Sequence, residues 1–342
     1  TQTNYAVIKL DDKNISMMDI AKMSGVSIAT VSRVLNQNGR YSAETEKRVM
    51  DIVKKYNYTI NPNAQGLRTN HTNTVGVIIP DITNEYFAQI VRAIEHELMK
   101  SGYNVFVCDS NEDIKFEDYH INSLQTKGVD GIIYISTRRS VDDIEKDFTV
   151  PVVYIDRGPG INSNLVASDN LMGGFLATEE LIKRGCRKIL MIKDTNEFNT
   201  VNDRMNGYLE AHKRYNIPIE SERIINCKVS YEDACETIKK VIDKEIEFDA
   251  VFCNTDTMAL GVLRGLKDRG RRVPEDVKLV GFDGIRSAEI SDPPITTVVQ
   301  NTEKIGQKSV EILMQMIVDK IKKTPEFIIP VELSVRESTK NT

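Results

Sequence analysis

The 342-residue chain has no cysteine pair at C-x-x-C spacing, no histidine pair at H-x-x-x-H spacing and no glycine-rich phosphate loop. Each absence removes a class of chemistry. The five cysteines (Cys108, Cys186, Cys227, Cys235, Cys253) are odd in number and scattered. That argues for free thiols in a reducing compartment and against a zinc module or a disulfide framework. The four histidines (His71, His96, His120, His212) make no local metal pairing, so no metal is expected. Neither G-x-G-x-x-G nor G-x-x-x-x-G-K followed by Ser or Thr opens a helix, and Gly158-Pro159-Gly160 is a turn signal. No cofactor is expected. No basic-then-apolar leader and no apolar run of membrane-spanning length occurs, so the expected setting is cytoplasmic with no membrane partner.

Positive charge is also short overall. The net charge of −5 argues, by itself, against a nucleic-acid binder. Its distribution says otherwise. Residues 1–71 carry ten Lys and Arg against six Asp and Glu, a net +4 that leaves −9 for the rest. A basic head on an acidic body suits a DNA reader whose body should not adhere to DNA. The length is enough for two or three domains with full cores.

The head is organised around Gly25-Val26-Ser27-Ile28-Ala29-Thr30-Val31-Ser32-Arg33-Val34-Leu35-Asn36. A Gly turn separates two helical patterns. Ser16 is placed to cap the first, with Asp19 in capping-box position, and Ser27 to cap the second. Val31, Val34 and Leu35 repeat as one buried stripe, leaving Ile28, Ala29, Ser32, Arg33 and Asn36 on the other face. Short side chains around one guanidinium allow close approach to a major groove, where Arg can read guanine in a bidentate fork. The alternative is a small helical hairpin with a solvated polar face. Ser42 opens a third helix in which Val49, Ile52, Val53 and Tyr56 close a three-helix core.

In order and spacing, Asp19-Ile20-Ala21, Gly25-Val26-Ser27, Thr30 through Asn36 and Asn57-Tyr58 resemble the headpiece of the lactose-repressor (LacI/GalR) family. The resemblance implies base reading by Ile28, Ala29 and Arg33, and phosphate or groove-edge positions for Ser27, Thr30, Ser32 and Asn36. After the headpiece, Asn61 to Thr72 reads by itself as a linker or a marginal two-turn helix, with Pro62 suited to a first turn and Gly66 weakening it. By resemblance it is a hinge that becomes helical on DNA. Leu67 would wedge into the minor groove, kinking the duplex, and Ala64 would meet the partner's hinge.

From Val75 onward, short β-branched runs alternate with amphipathic helices, which argues for parallel, helix-covered sheets. The expected organisation is an α/β chain with a small all-α helix-turn-helix headpiece. Residues 1–13 form an arm, 14–60 the headpiece, 61–72 the hinge and 73–342 an effector-binding and dimerisation domain. The two α/β halves resemble the periplasmic-binding-protein fold, which implies one lobe of about 73–172 plus 302–332 and another of about 173–301 plus 333–342.

Ligands of open parallel sheets bind beyond the strand C-termini. The polar and aromatic residues that follow the expected strands are Asn84, Tyr86, Phe87, Asp156, Arg157, Arg204, Tyr231, Thr255, Asp283 and Gln300. Singly, each has a structural explanation as a cap, a turn or core. Together, carboxylates, guanidinia, amides and aromatic faces match a small polyhydroxyl ligand. The set resembles the ribose-type branch of the superfamily, with Glu85 where Pro is usual and Thr255 where a ligand-binding Asn is common. Two guanidinia against two carboxylates give no excess positive charge for a sugar phosphate. Tyr86-Phe87 also resembles purine-repressor architecture, which keeps a nucleobase as the alternative.

Paired carboxylates could serve a glycosidase, yet the same residues serve hydroxyl recognition in this superfamily, so no enzyme is expected. The expected protein is a homodimeric, ligand-gated transcriptional regulator, a repressor, on a pseudo-palindromic double-stranded operator. Its expected effector is a monosaccharide. A phosphorylated carrier protein as the gating partner, or a sugar receptor without a DNA role, are the other readings. No leucine heptad follows the last strand pattern, so the expectation is a dimer and not a tetramer.

Overall fold

The computed structural model describes residues 15–58, 71–136, 148–158, 163–321 and 324–340. The chain divides into two units, Thr1–Thr72 and Asn73–Thr342. The N-terminal arm and the hinge residues Ala64 and Leu67 lie outside the described residues. Among the described residues no helix is long and apolar enough to cross a membrane, and no group of His, Cys, Asp or Glu is gathered to hold a metal.

In the first unit three helices, α1 (Met17–Ser24), α2 (Ile28–Leu35) and α3 (Ala43–Lys55), each start at a serine. Ser16 Oγ accepts from the Asp19 amide at 3.2 Å while the Asp19 carboxylate accepts from the Ser16 amide at 2.9 Å, closing the capping box. Ser27 and Ser42 accept from the amides of Thr30 and Thr45 at 3.1 and 3.2 Å. These caps satisfy amides that the first helical turn leaves unpaired. Gly25 ends α1 at φ +67°, a conformation that costs a residue with Cβ about 1–2 kcal/mol. Ile20, Ala21, Val31, Val34 and Val49 form the core beneath the turn.

The second unit holds two six-stranded sheets. The first lobe runs β1 (Thr74–Ile79), α4 (Glu85–Lys100), β2 (Asn104–Asp109), α5 (Ile114–Thr126), β3 (Gly131–Tyr134), β4 (Val152–Ile155) and β5 (Leu165–Ser168). The second runs α6 (Asn170–Lys183), β6 (Ile189–Asp194), α7 (Asn199–Arg214), β7 (Ile224–Cys227), α8 (Tyr231–Asp243), β8 (Ala250–Cys253), α9 (Asp256–Asp268), β9 (Lys278–Asp283), α10 (Arg286–Glu289) and β10 (Thr296–Val299). The chain then returns through α11 (Thr302–Val318), which packs on α4 and on β3 to β5. It ends in β11 (Phe327–Ile329) and β12 (Glu332–Ser334).

The strand orders are β11-β5-β4-β3-β1-β2 and β12-β10-β9-β8-β6-β7. Pairing is parallel throughout except for β12, which runs antiparallel to β10. The central strands are buried on both faces, as helix-covered parallel strands must be, and their apolar residues are near-continuous.

Three features depart from the sequence expectation. β5 reads Leu-Val-Ala-Ser, with a single β-branched residue, so the pattern that marks the other strands does not mark it. α7 starts at Asn199, and its N-terminus has no side-chain cap that a sequence could announce. The apolar C-terminal run splits into two strands belonging to different sheets.

Candidate functional site

The strands of both lobes direct their C-terminal ends at one cleft, with a cavity of about 50 Å³ between them. Lobe 1 contributes Asn84, Tyr86 and Phe87 after β1, and Asp156 and Arg157 after β4. Lobe 2 contributes Arg204 on α7, Thr255 before α9, and Asp283 at the end of β9. Gln300, on the connection back to lobe 1, is bonded to both sides. Tyr231 is not brought to this wall. It starts α8 at 40 % exposure, and Val229 lines the cavity there instead.

A chain of polar contacts crosses the cleft. The Tyr86 hydroxyl donates to Asp156 Oδ2 at 2.5 Å and lies 3.0 Å from Gln300 Oε1. Gln300 Nε2 donates to Asp283 Oδ1 at 2.8 Å. Arg204 Nη1 stands 3.7 Å from the same oxygen and donates to the Asn254 carbonyl at 2.5 Å. Arg204 Nε donates to Asn170 Oδ1 at 2.8 Å, and the guanidinium covers the Phe282 ring at 3.7 Å. From lobe 1, Arg157 reaches the Phe198 ring at 3.8 Å and donates to the Ser136 carbonyl at 3.3 Å.

Two of the cleft carboxylates sit on unusual backbone within or next to a strand end, Asp156 at φ +57° and Asp283 at φ +122°. Non-glycine residues held there store about 1–3 kcal/mol each, strain that concentrates at functional positions. Burial pushes the Asp283 carboxyl above its ordinary range, with Arg204 and Gln300 opposing. Burial and then Asp156 lift the Tyr86 hydroxyl, which keeps it a donor.

Glu112, Asp194, Thr200, Val201 and Asn254 also line the cavity. Asp194 ends β6 and Asn254 follows β8 directly, so the strand-end rule could have found them. Glu112 follows β2 through a turn with φ +55°, which strand patterning does not flag. Thr255 is committed to a cap, accepting from the Met258 amide at 3.2 Å. Asp256 is fully buried and structural, accepting from Thr297 Oγ1 at 2.6 Å and from the amides of Gly284 and Ile285 at 2.8 and 2.9 Å. A Cβ on Gly281 would lie 2.1 Å from Asp256 Oδ1, so the Gly-Phe-Asp-Gly stretch needs its first glycine. Glu85, the unusual residue beside Asn84, bridges the lobes by accepting from the Ser287 amide at 3.3 Å and from its hydroxyl.

In the first unit, Ile28 is 48 % exposed and Ala29 and Arg33 are exposed beside it on α2. Ser27 and Thr30 share a hydroxyl contact at 2.9 Å at the helix start. Ser32 differs from its neighbours. It is 4 % exposed, and Asn36 Nδ2 donates to its carbonyl at 2.7 Å and its hydroxyl at 3.2 Å.

A small three-helix unit with an exposed helix after a glycine turn, followed by a two-lobed α/β unit with a polar cleft, defines a DNA-binding regulator with a ligand-binding body. Residues 16–61 match the family of bacterial regulatory proteins of the lacI type, and residues 72–337 match the periplasmic binding proteins and sugar binding domain of the LacI family. The chain belongs to the LacI family of DNA-binding transcriptional repressors.

The HTH-type transcriptional repressor PurR of Haemophilus influenzae (strain PittEE) is 32 % identical over 95 % of this chain and 99 % of its own. The ribose operon repressor of Halalkalibacterium halodurans is 33 % identical over 95 % and 97 %. Among solved structures, the lac repressor dimer bound to operator and the anti-inducer ONPF aligns with a TM-score of 0.86 at 26 % identity, covering 96 % of this chain and 99 % of that one. A LacI-family regulator from Enterococcus faecium with bound ribose aligns at 0.70 and 30 % identity, covering 78 % and 98 %. Proteins of this family are repressors, and the chain is not an enzyme.

Proposed function

We propose that the cleft takes a neutral sugar of pentose size, and that this sugar gates operator binding. One observation carries the reading: four carboxylates (Glu112, Asp156, Asp194, Asp283) line the cavity against two guanidinia (Arg157, Arg204). A phosphate would meet net repulsion there, whereas hydroxyls donate to carboxylates and accept from guanidinia. The ribose operon repressor and the ribose-bound regulator support the same ligand class. The likeness to PurR supports a nucleobase as the second reading.

Small-molecule pockets measure roughly 300–1,000 Å³, so a cavity of about 50 Å³ requires the lobes or their side chains to part for entry. That movement is the switch. A coupling of about 1–3 kcal/mol changes operator affinity about 5- to 150-fold, and DNA then changes sugar affinity by the same factor.

On the DNA side, Ile28, Ala29 and Arg33 read bases, and Ser27 and Thr30 hold phosphate. Ser32 and Asn36 act by bracing the end of α2. Ala64 and Leu67 serve the minor groove. A homodimer places two headpieces on a pseudo-palindrome, and light scattering that returned a monomer at micromolar concentration would refute this. Arg33→Ala is expected to relax base discrimination by about 1–3 kcal/mol, read from competition binding over operator variants. Unchanged preference would displace α2 from the groove.

A thermal-shift panel of pentoses, hexoses, sugar phosphates and nucleobases tests the ligand class. A ligand at a hundredfold excess over Kd stabilises by about 2.7 kcal/mol. Stabilisation by a neutral pentose alone is the expected result, and a response only to nucleobases would overturn it.

A further inference from the structure

We propose that Asn254 is a specificity-determining residue of the cleft, its amide oxygen accepting one particular hydroxyl of the bound sugar. The assignment rests on the sugar reading above and adds to it the residue that tells one polyol from another.

Three buried side-chain polar atoms among the described residues have no hydrogen-bond partner: Ser163 Oγ, Ser168 Oγ and Asn254 Oδ1. Of these residues only Asn254 lines the cleft. It is 1 % exposed. Buried polar groups without partners are costly and therefore rare, and one at the wall of a binding cavity points to a ligand group that completes it.

The neighbouring polar atoms are already engaged. Thr255 Oγ1 caps α9, Asp156 accepts from Tyr86, Asp283 accepts from Gln300, and Arg204 is held by Asn170 and by the Asn254 carbonyl. A carboxylate keeps further lone pairs beside such contacts and accepts hydroxyls over a range of directions, which yields little discrimination. Asn254 Oδ1 forfeits nothing on binding.

Its position is also fixed. The Asn254 amide donates to the Ile192 carbonyl at 2.9 Å, and its own carbonyl holds Arg204 at 2.5 Å. A buried acceptor carried on a fixed backbone rewards a hydroxyl at one place and penalises its absence, because a site built around a hydrogen bond rejects the analogue that lacks it.

The test is calorimetric titration of the full chain with D-ribose and its 2-, 3- and 5-deoxy analogues. Wild type, Asn254→Ala and Asn254→Leu are compared. In the wild type one deoxy analogue is expected to bind about tenfold or more weakly than ribose. In both variants ribose should fall to that level, and the penalty should vanish at that single hydroxyl while persisting at the others. A structural role would not produce this position-selective loss. The melting temperature of Asn254→Leu should hold or rise, since an unpaired buried polar group has been replaced by an apolar one. Equal ribose binding by all three proteins would overturn the assignment while leaving the sugar reading standing. A uniform loss across all analogues, or failure of both variants to fold, would mark Asn254 as structural and overturn it too. No sugar binding to the wild type would overturn the sugar reading and the assignment together.

Discussion

The two lobes are built to one plan, and they differ where it matters for binding. Each sheet places its strands in the same relative order, so β4 and β9 occupy equivalent slots. Each of these strands leads to an aspartate with positive φ, Asp156 in lobe 1 and Asp283 in lobe 2. Duplicated architecture thus sets two strained carboxylates facing one cleft. Their partners are not duplicated. Asp283 sits in a finished wall, with Arg204 clamped by Asn170, the Asn254 carbonyl and the Phe282 ring. Asp156 is held by Tyr86 of its own lobe, and its neighbour Arg157 leaves that lobe to cover Phe198 on the other. Lobe 2 presents a preformed surface. Lobe 1 supplies the groups that reach across.

The sharpest way to break this comparison is to remove the two guanidinia separately. Arg204→Ala strips a buried carboxylate of its cation and should cost about 3–5 kcal/mol in denaturant unfolding. Arg157→Ala removes a half-buried group stacked between lobes and should cost distinctly less. Equal losses would mean that lobe 2 is no more preorganised than lobe 1.

The next effect is on pH. Burial raises the folded-state carboxyls of Asp283 and of its neighbour Asp256 above their unfolded values. Groups raised in this way contribute stability that is fully present below the unfolded value. That stability is lost as pH rises through the folded value. The melting temperature should therefore fall from mildly acidic to neutral pH, and Asp283→Asn should flatten the fall. An equally steep profile in that variant would remove Asp283 as its source.

The smallest expected effect is at the bridge between lobes. Glu85→Ala removes the acceptor for Ser287 and should weaken lobe–lobe cohesion by about 1–2 kcal/mol. Small-angle scattering should report a larger radius of gyration, with Glu85→Gln intermediate. An unchanged radius would leave cohesion to the Tyr86–Gln300–Asp283 chain.

Much of the fold was legible because its signals are local. Serine caps at Ser16, Ser27 and Ser42, the glycine turn and the i, i+3, i+4 stripes fix three short helices within a few residues of chain. Alternating β-branched runs and amphipathic helices announce two parallel sheets without reference to one another. β5 has only one β-branched residue and escapes that pattern, and the terminal run gives no sign that β11 and β12 part to different sheets. In the cleft, the strand-end rule gathers Asn84, Asp156 and Asp283, because parallel strands place their C-terminal ends together. It treats Tyr231 like the others, though α8 turns that side chain outward. It passes over Glu85, whose partner Ser287 is two hundred residues away.

What the sequence determined by itself is the set of elements, the charge division between head and body, and the polar character of the strand ends. All of these depend on residues close in the chain. Only the tertiary structure decided which of those polar atoms are already engaged and which is not. Asp256 is consumed by Gly284, Ile285 and Thr297, whereas Asn254, two positions earlier, keeps a buried oxygen without a partner. Hydrogen-bond capacity belongs to a residue, but its satisfaction belongs to the neighbours that folding brings, and those come from both lobes.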